Sequence, residues 1–145
     1  MTLSVTDVMV QDTGNYSCHA RTRLDTATTN TAQIQIHHRT NLLKSPQDVS
    51  AVLDGPRSLS CQFQIDKRLI KDAEIYWTIN NSPTPRDRTK TVPTGGDHQW
   101  KVLYEVDRVK QSDVGAYKCH VITSFDSSHS GPANLRLISG RKMCK

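Results

Sequence analysis

The chain has 145 residues, a net charge of +5, and only 6% aromatic residues. Its basic groups are dispersed as Lys67-Arg68, residues 86–90 and residues 140–145, which reads as solvated loops and leaves no nucleic-acid module; a glycosaminoglycan or acidic-lipid contact is the alternative. No apolar run is long enough for a signal sequence or a membrane span.

In chain order, residues 2–8 alternate apolar and polar and predict the end of one strand with the turn toward the next. Residues 15–23 read as a strand, residues 24–28 as a turn in which Asp25 bonds its own backbone, and residues 30–37 as the returning strand. Residues 38–46 change composition as a linker does, and Pro46 stops any ladder before it. Strands follow at 49–53, 57–64, 73–79, 89–92, 100–106, 116–122 and 132–138. Leu59, Cys61 and Phe63 share one face of the second of these. Between them lie a long loop at 65–72, a proline-limited stretch at 80–85 and a tight turn at Gly95-Gly96. No helix is expected.

One stretch occurs twice. Asp12-Thr13-Gly14-Asn15-Tyr16-Ser17-Cys18 matches Asp113-Val114-Gly115-Ala116-Tyr117-Lys118-Cys119 at an offset of 113 − 12 = 101 residues, and the likeness extends to both sides. Each copy reads as a tight corner running into a strand, with a buried tyrosine ring whose hydroxyl bonds back to the main chain. Cys61 and Trp77 precede the second copy, giving the order Cys, Trp, Tyr, Cys. That order predicts an all-β, immunoglobulin-like sandwich of the I-set or C2-like kind, with Trp77, Tyr117 and Tyr16 in cores and a Cys61–Cys119 disulfide formed in an oxidising compartment.

A repeat of about a hundred residues is one such domain long, so the expected organisation is a tandem array. Residues 1–37 would be the last three strands (E, F and G) of one domain, 38–46 a linker, 47–139 a complete domain and 140–145 a basic tail. Cys18 would then take its partner from a strand preceding Met1, and Cys144 lies in the tail. On this expectation the chain is a fragment.

Tyr16-Ser17-Cys18-His19-Ala20-Arg21-Thr22-Arg23-Leu24-Asp25-Thr26-Ala27 with Ala32-Gln33-Ile34, and Cys61, Asp66, Leu69 and Ile75-Tyr76-Trp77-Thr78-Ile79-Asn80, carry a narrower likeness. They resemble the contactin, neurofascin and neuroglian group of neural cell-adhesion receptors. The resemblance implies an extracellular glycoprotein module, cell-surface or secreted, that binds cell-surface or matrix proteins, homophilically or heterophilically, without catalysis or cofactor. The alternative is the non-catalytic ectodomain of a receptor kinase or phosphatase, or of a matrix enzyme; a third reading is an intracellular muscle-type array.

The candidate chemistry is sparse. His19 and His120 occupy equivalent repeat positions facing outward, and none of the histidines 19, 37, 38, 98, 120 and 129 has a ligand-spaced partner in sequence, so no metal site is expected. No serine sits in a nucleophile elbow, so no catalytic residue is expected. Trp100 reads either as an exposed anchor for a partner or as a core position. Asn15-Tyr16-Ser17 and Asn80-Asn81-Ser82 match the N-glycosylation pattern, making Asn15 and Asn80 the candidate acceptors.

Overall fold

A computed structural model describes residues 1–138; the basic tail and Cys144 lie outside the described residues. The chain folds as two units, Met1–His38 and a second that begins at Arg39.

In the second unit, alternation of apolar and polar residues builds two facing sheets. The strands are β5 (Asn41–Lys44), β6 (Val49–Ala51), β7 (Arg57–Gln64), β8 (Glu74–Ile79), β9 (Ser82–Pro83), β10 (Thr89–Pro93), β11 (Gln99–Val106), β12 (Gly115–Ile122), β13 (Ser127–His129) and β14 (Ala133–Leu137). One sheet has the order β10-β11-β7-β5, and the other β6-β14-β12-β8-β9 with β13 also paired to β12. Leu59, Cys61 and Phe63 from β7, Val102, Tyr104 and Val106 from β11, and Tyr117, Cys119 and Val121 from β12 all point inward and are buried. Every second residue on these strands faces out, as a pleated two-layer core requires.

A disulfide joins Cys61 on β7 to Cys119 on β12 and so ties the two sheets together. Trp77 stands opposite Cys119 in register and is wholly buried. Tyr104 lies between Trp77 and Tyr117, with ring centroids 6.1 Å and 5.2 Å away.

The segment read as a linker contributes a strand. Asn41–Lys44 pairs antiparallel with β7 through a register shift between Leu42 and Lys44, and Leu42 packs on the core. After Ser45-Pro46 the chain continues into β6, which pairs parallel to β14 in the other sheet. Pro46 offers no N–H to a ladder, so the first strand is split between the two sheets. The apolar pair Leu42-Leu43 was the available signal for β5, and the surrounding linker composition masked it.

Four 3-10 turns appear among the described residues, where no helix was expected: Val10–Asp12, Ile70–Asp72, Arg86–Arg88 and Gln111–Asp113. The first and last are repeat equivalents and build the corners. The Lys110 N–H donates to the Asp113 carboxylate at 2.8 Å, as the Met9 N–H does to Asp12 at 2.8 Å. The hydroxyl of Tyr117 donates to the Asp113 carbonyl at 2.6 Å, and that of Tyr16 to the Asp12 carbonyl at 2.7 Å.

The first unit holds two short antiparallel pairs. β1 (Gly14–Tyr16) pairs with β4 (Ala32–Ile34), and β2 (His19–Arg21) with β3 (Thr26–Thr28). The predicted strand at 15–23 is therefore interrupted at Ser17-Cys18, and residues 2–8 form no strand. The physical reason is the missing second layer: Leu3, Val5, Val8 and Ile34 are exposed. Tyr16 is half-buried, whereas Tyr117, in the same local geometry, is 0% exposed. Cys18 is a free thiol.

Candidate recognition surface

Because Trp77, Cys119 and Val121 point into the core of the second unit, Tyr76, Thr78, Lys118 and His120 point outward from β8 and β12. His120 lies opposite Tyr76 on one side and His129 on the other. The result is a row of planar groups across the sheet. The Arg86 guanidinium sits 4.9 Å over the Tyr76 ring, which stacks on His120 at 4.8 Å with 9° between planes. His120 is followed by His129 at 5.9 Å and 25°. Arg86 also pairs with Glu74 at 3.0 Å, and His120 Nε2 is 3.0 Å from Thr78 Oγ1. Burial first, then the neighbouring His129 and Lys118, hold the His120 pKa below its ordinary value. Its imidazole is consequently neutral at pH 7.

At the hairpin joining β12 to β13, Asp126 acts as a clamp. Its carboxylate accepts hydrogen bonds from the Thr40 N–H at 2.8 Å, the Thr40 hydroxyl at 2.7 Å and the Thr123 hydroxyl at 2.7 Å. Burial pushes the Asp126 pKa up, but these hydrogen bonds outweigh it and leave the carboxyl below its ordinary value. Phe125 at the hairpin tip is 68% exposed, and its repeat equivalent Leu24 is 96% exposed. Thr22 and Asp25 make the same turn in the first unit, with the hydroxyl donating to the carboxylate at 2.7 Å.

The long loop after β7 is held by a buried charge. Asp66 is fully buried and receives Arg68 Nη2 at 2.8 Å and Nε at 3.0 Å, together with the Arg68 backbone N–H at 2.9 Å. A buried carboxylate is tolerated only with such pairing. Trp100 is half-buried against the core and donates its indole N–H to the Ile65 carbonyl at 3.0 Å, so it anchors this loop from within.

The two glycosylation candidates differ. Asn15 is exposed on β1. Asn80 is exposed by area, yet its Oδ1 accepts the Ala116 N–H at 3.0 Å. A Cβ at Gly115 would lie 2.7 Å from Asn80 Nδ2, so glycine there leaves room for the amide. Asn80 has φ +50°, a left-handed conformation that asparagine accepts more readily than most residues.

No protein-family profile matches the chain. Neuronal cell adhesion molecule of Mus musculus is 30% identical over 138 residues, which is 95% of this chain and 10% of that protein. The chain carries the immunoglobulin fold and is similar to adhesion proteins of the immunoglobulin superfamily. Protein sidekick-1 of Gallus gallus is 28% identical over 139 residues, covering 94% of this chain and 6% of its own. The chain thus spans about a tenth or less of the curated relatives it matches. Among solved structures, Dpr2 Ig1-Ig2 in complex with DIP-Theta Ig1-Ig3 gives a TM-score of 0.59 at 21% identity, covering 92% of this chain and 44% of that one. The N-terminal Ig1-2 module of the Drosophila receptor protein tyrosine phosphatase DLAR gives 0.51 at 19% identity, covering 74% and 53%. At these identities the two structures speak for the immunoglobulin fold alone.

Cys61, Cys119, Trp77 and Tyr117, expected in one region from their order along the chain, come together in the core. The Arg86–Tyr76–His120–His129 row was missed at the level of sequence. The signal present there was that Tyr76 and His120 both occupy outward positions on strands expected to be neighbours.

Proposed function

We propose that this chain is an extracellular recognition segment of an immunoglobulin-superfamily adhesion protein, binding cell-surface or matrix proteins without chemistry of its own. The observation that carries this reading is the similarity to neuronal cell adhesion molecule over 95% of the chain. Residues 1–37 are read as the end of one immunoglobulin domain and residues 47–139, together with β5, as the next, which the 101-residue repeat supports. Binding would fall to sheet faces and loop tips held by the sandwich. Among the described residues no helix is long and apolar enough to cross a membrane.

The test is to secrete the whole chain as a dimeric fusion from mammalian cells and measure its binding to cultured neural cells, before and after the cells are stripped with protease. Saturable, protease-sensitive binding is expected. Binding no greater than that of an unrelated immunoglobulin domain would overturn the reading.

A further inference from the structure

The hairpin of β12 and β13 places two imidazoles directly opposite each other, His120 against His129 in register, with ring centroids 5.9 Å apart. We propose that His120 and His129 form a two-imidazole site for a borderline divalent transition ion, of which Zn2+, Cu2+ and Ni2+ are the class. The site is separate from the protein-binding role proposed above and does not depend on it.

The spacing is close. With a metal–nitrogen bond of about 2.0–2.1 Å and the ring centre roughly 1.1 Å behind the nitrogen, two imidazoles on one tetrahedral ion have centroids roughly 5.2 Å apart. The observed 5.9 Å is longer and the rings are stacked at 25°, so the His129 ring has to swing on an unchanged hairpin until its lone pair converges with that of His120. His120 is held in place on the sheet. Tyr76 covers one face of its ring, and its Nε2 is engaged with Thr78 Oγ1, which leaves Nδ1 as the ligand atom. An outer hydrogen bond of this kind holds the ring.

The first unit makes the same cross-strand contact with a different partner. His19 is the repeat equivalent of His120, its cross-strand partner is Thr28, and its Nδ1 lies 3.1 Å from the Thr28 hydroxyl. Where the first unit has a hydroxyl, the second has an imidazole.

The donor set selects the ion class, because imidazole suits zinc, copper and nickel. Calcium and magnesium require several oxygen ligands, and the nearest carboxylate of the row, Glu74, is paired with Arg86. Lys118 shares the face and tempers the attraction for a dication. The remaining coordination positions are left to water or to a side chain of a bound protein.

The whole chain is titrated with zinc chloride while imidazole resonances are followed by NMR and heat is followed by calorimetry. One ion per chain is expected, with shifts at His120 and His129. His129→Ala should weaken binding more than tenfold, and Thr78→Val by about tenfold through loss of the outer hydrogen bond. The double variant His37→Ala/His38→Ala should bind as the parent does. His129 is exposed, so an unchanged amide spectrum will show that its variant is folded. Zinc affinity unaltered by His129→Ala, shifts confined to other histidines, or no binding at millimolar zinc would each overturn the proposal.

Discussion

Asp126 collects three hydrogen bonds on one carboxylate, from Thr40 twice and from Thr123, and so ties the start of the second unit to the hairpin between β12 and β13. Hydrogen bonds to a charged acceptor are worth about 1.5–3 kcal/mol each, less what water would supply, so Asp126→Ala should cost about 2 kcal/mol at pH 7. The folded-state pKa is depressed below 3.8. The stabilisation is therefore fully present above that value and lost as pH falls through the folded-state pKa. Urea melts of both proteins at neutral and acid pH should show the difference shrinking on acidification; a constant gap would refute the clamp. Tyr117 gives a second prediction at this scale. Its phenol is buried and hydrogen-bonded to the Asp113 carbonyl, and burial raises its pKa, so Tyr117→Phe leaves a buried carbonyl short of a donor and should cost about 1–2 kcal/mol. Tyr16→Phe should cost less, since Tyr16 is half-buried and water can replace its hydroxyl.

At the scale of elements, the disulfide between β7 and β12 is the main covalent constraint. It closes a loop of 58 residues, for which chain-entropy arguments give about 4 kcal/mol. The double variant Cys61→Ala/Cys119→Ala should lose that much in chemical denaturation, and a loss under about 1 kcal/mol would mean that packing alone holds the sheets. The approach of β12 to the turn after β8 is equally specific. Gly115→Ala would drive a methyl to 2.7 Å from Asn80 Nδ2, and the repacking should cost about 1–3 kcal/mol by thermal melting. Asn80 is thereby spoken for as a structural residue, and we propose Asn15 rather than Asn80 as the glycan acceptor.

At the scale of the whole molecule, two copies of one corner differ in what covers them. In the second unit two sheets bury Tyr104, Tyr117 and Trp77. In the first, two short ladders leave Leu3, Val8 and Leu24 in water. Local opening is cheap where few apolar contacts hold a ladder. Amide hydrogen exchange should therefore be fast throughout β1–β4 and slow in β7, β11 and β12. Protection of β1–β4 equal to that of β12 would show that the first unit has found another source of stability.

The sequence by itself determined the sandwich, its disulfide and its corner. These features rest on period-two burial and on four residues, Cys61, Trp77, Tyr117 and Cys119, whose roles follow from local geometry and order along the chain. It also determined the repeat, because equal spacing needs no folding to be seen. Only the tertiary structure decided which sheet took Asn41–Lys44, that Asn80 would close on Gly115, and that Tyr76, His120 and His129 would align. Each of those depends on the register between strands far apart in sequence, where a shift of one residue would turn every side chain to the opposite face.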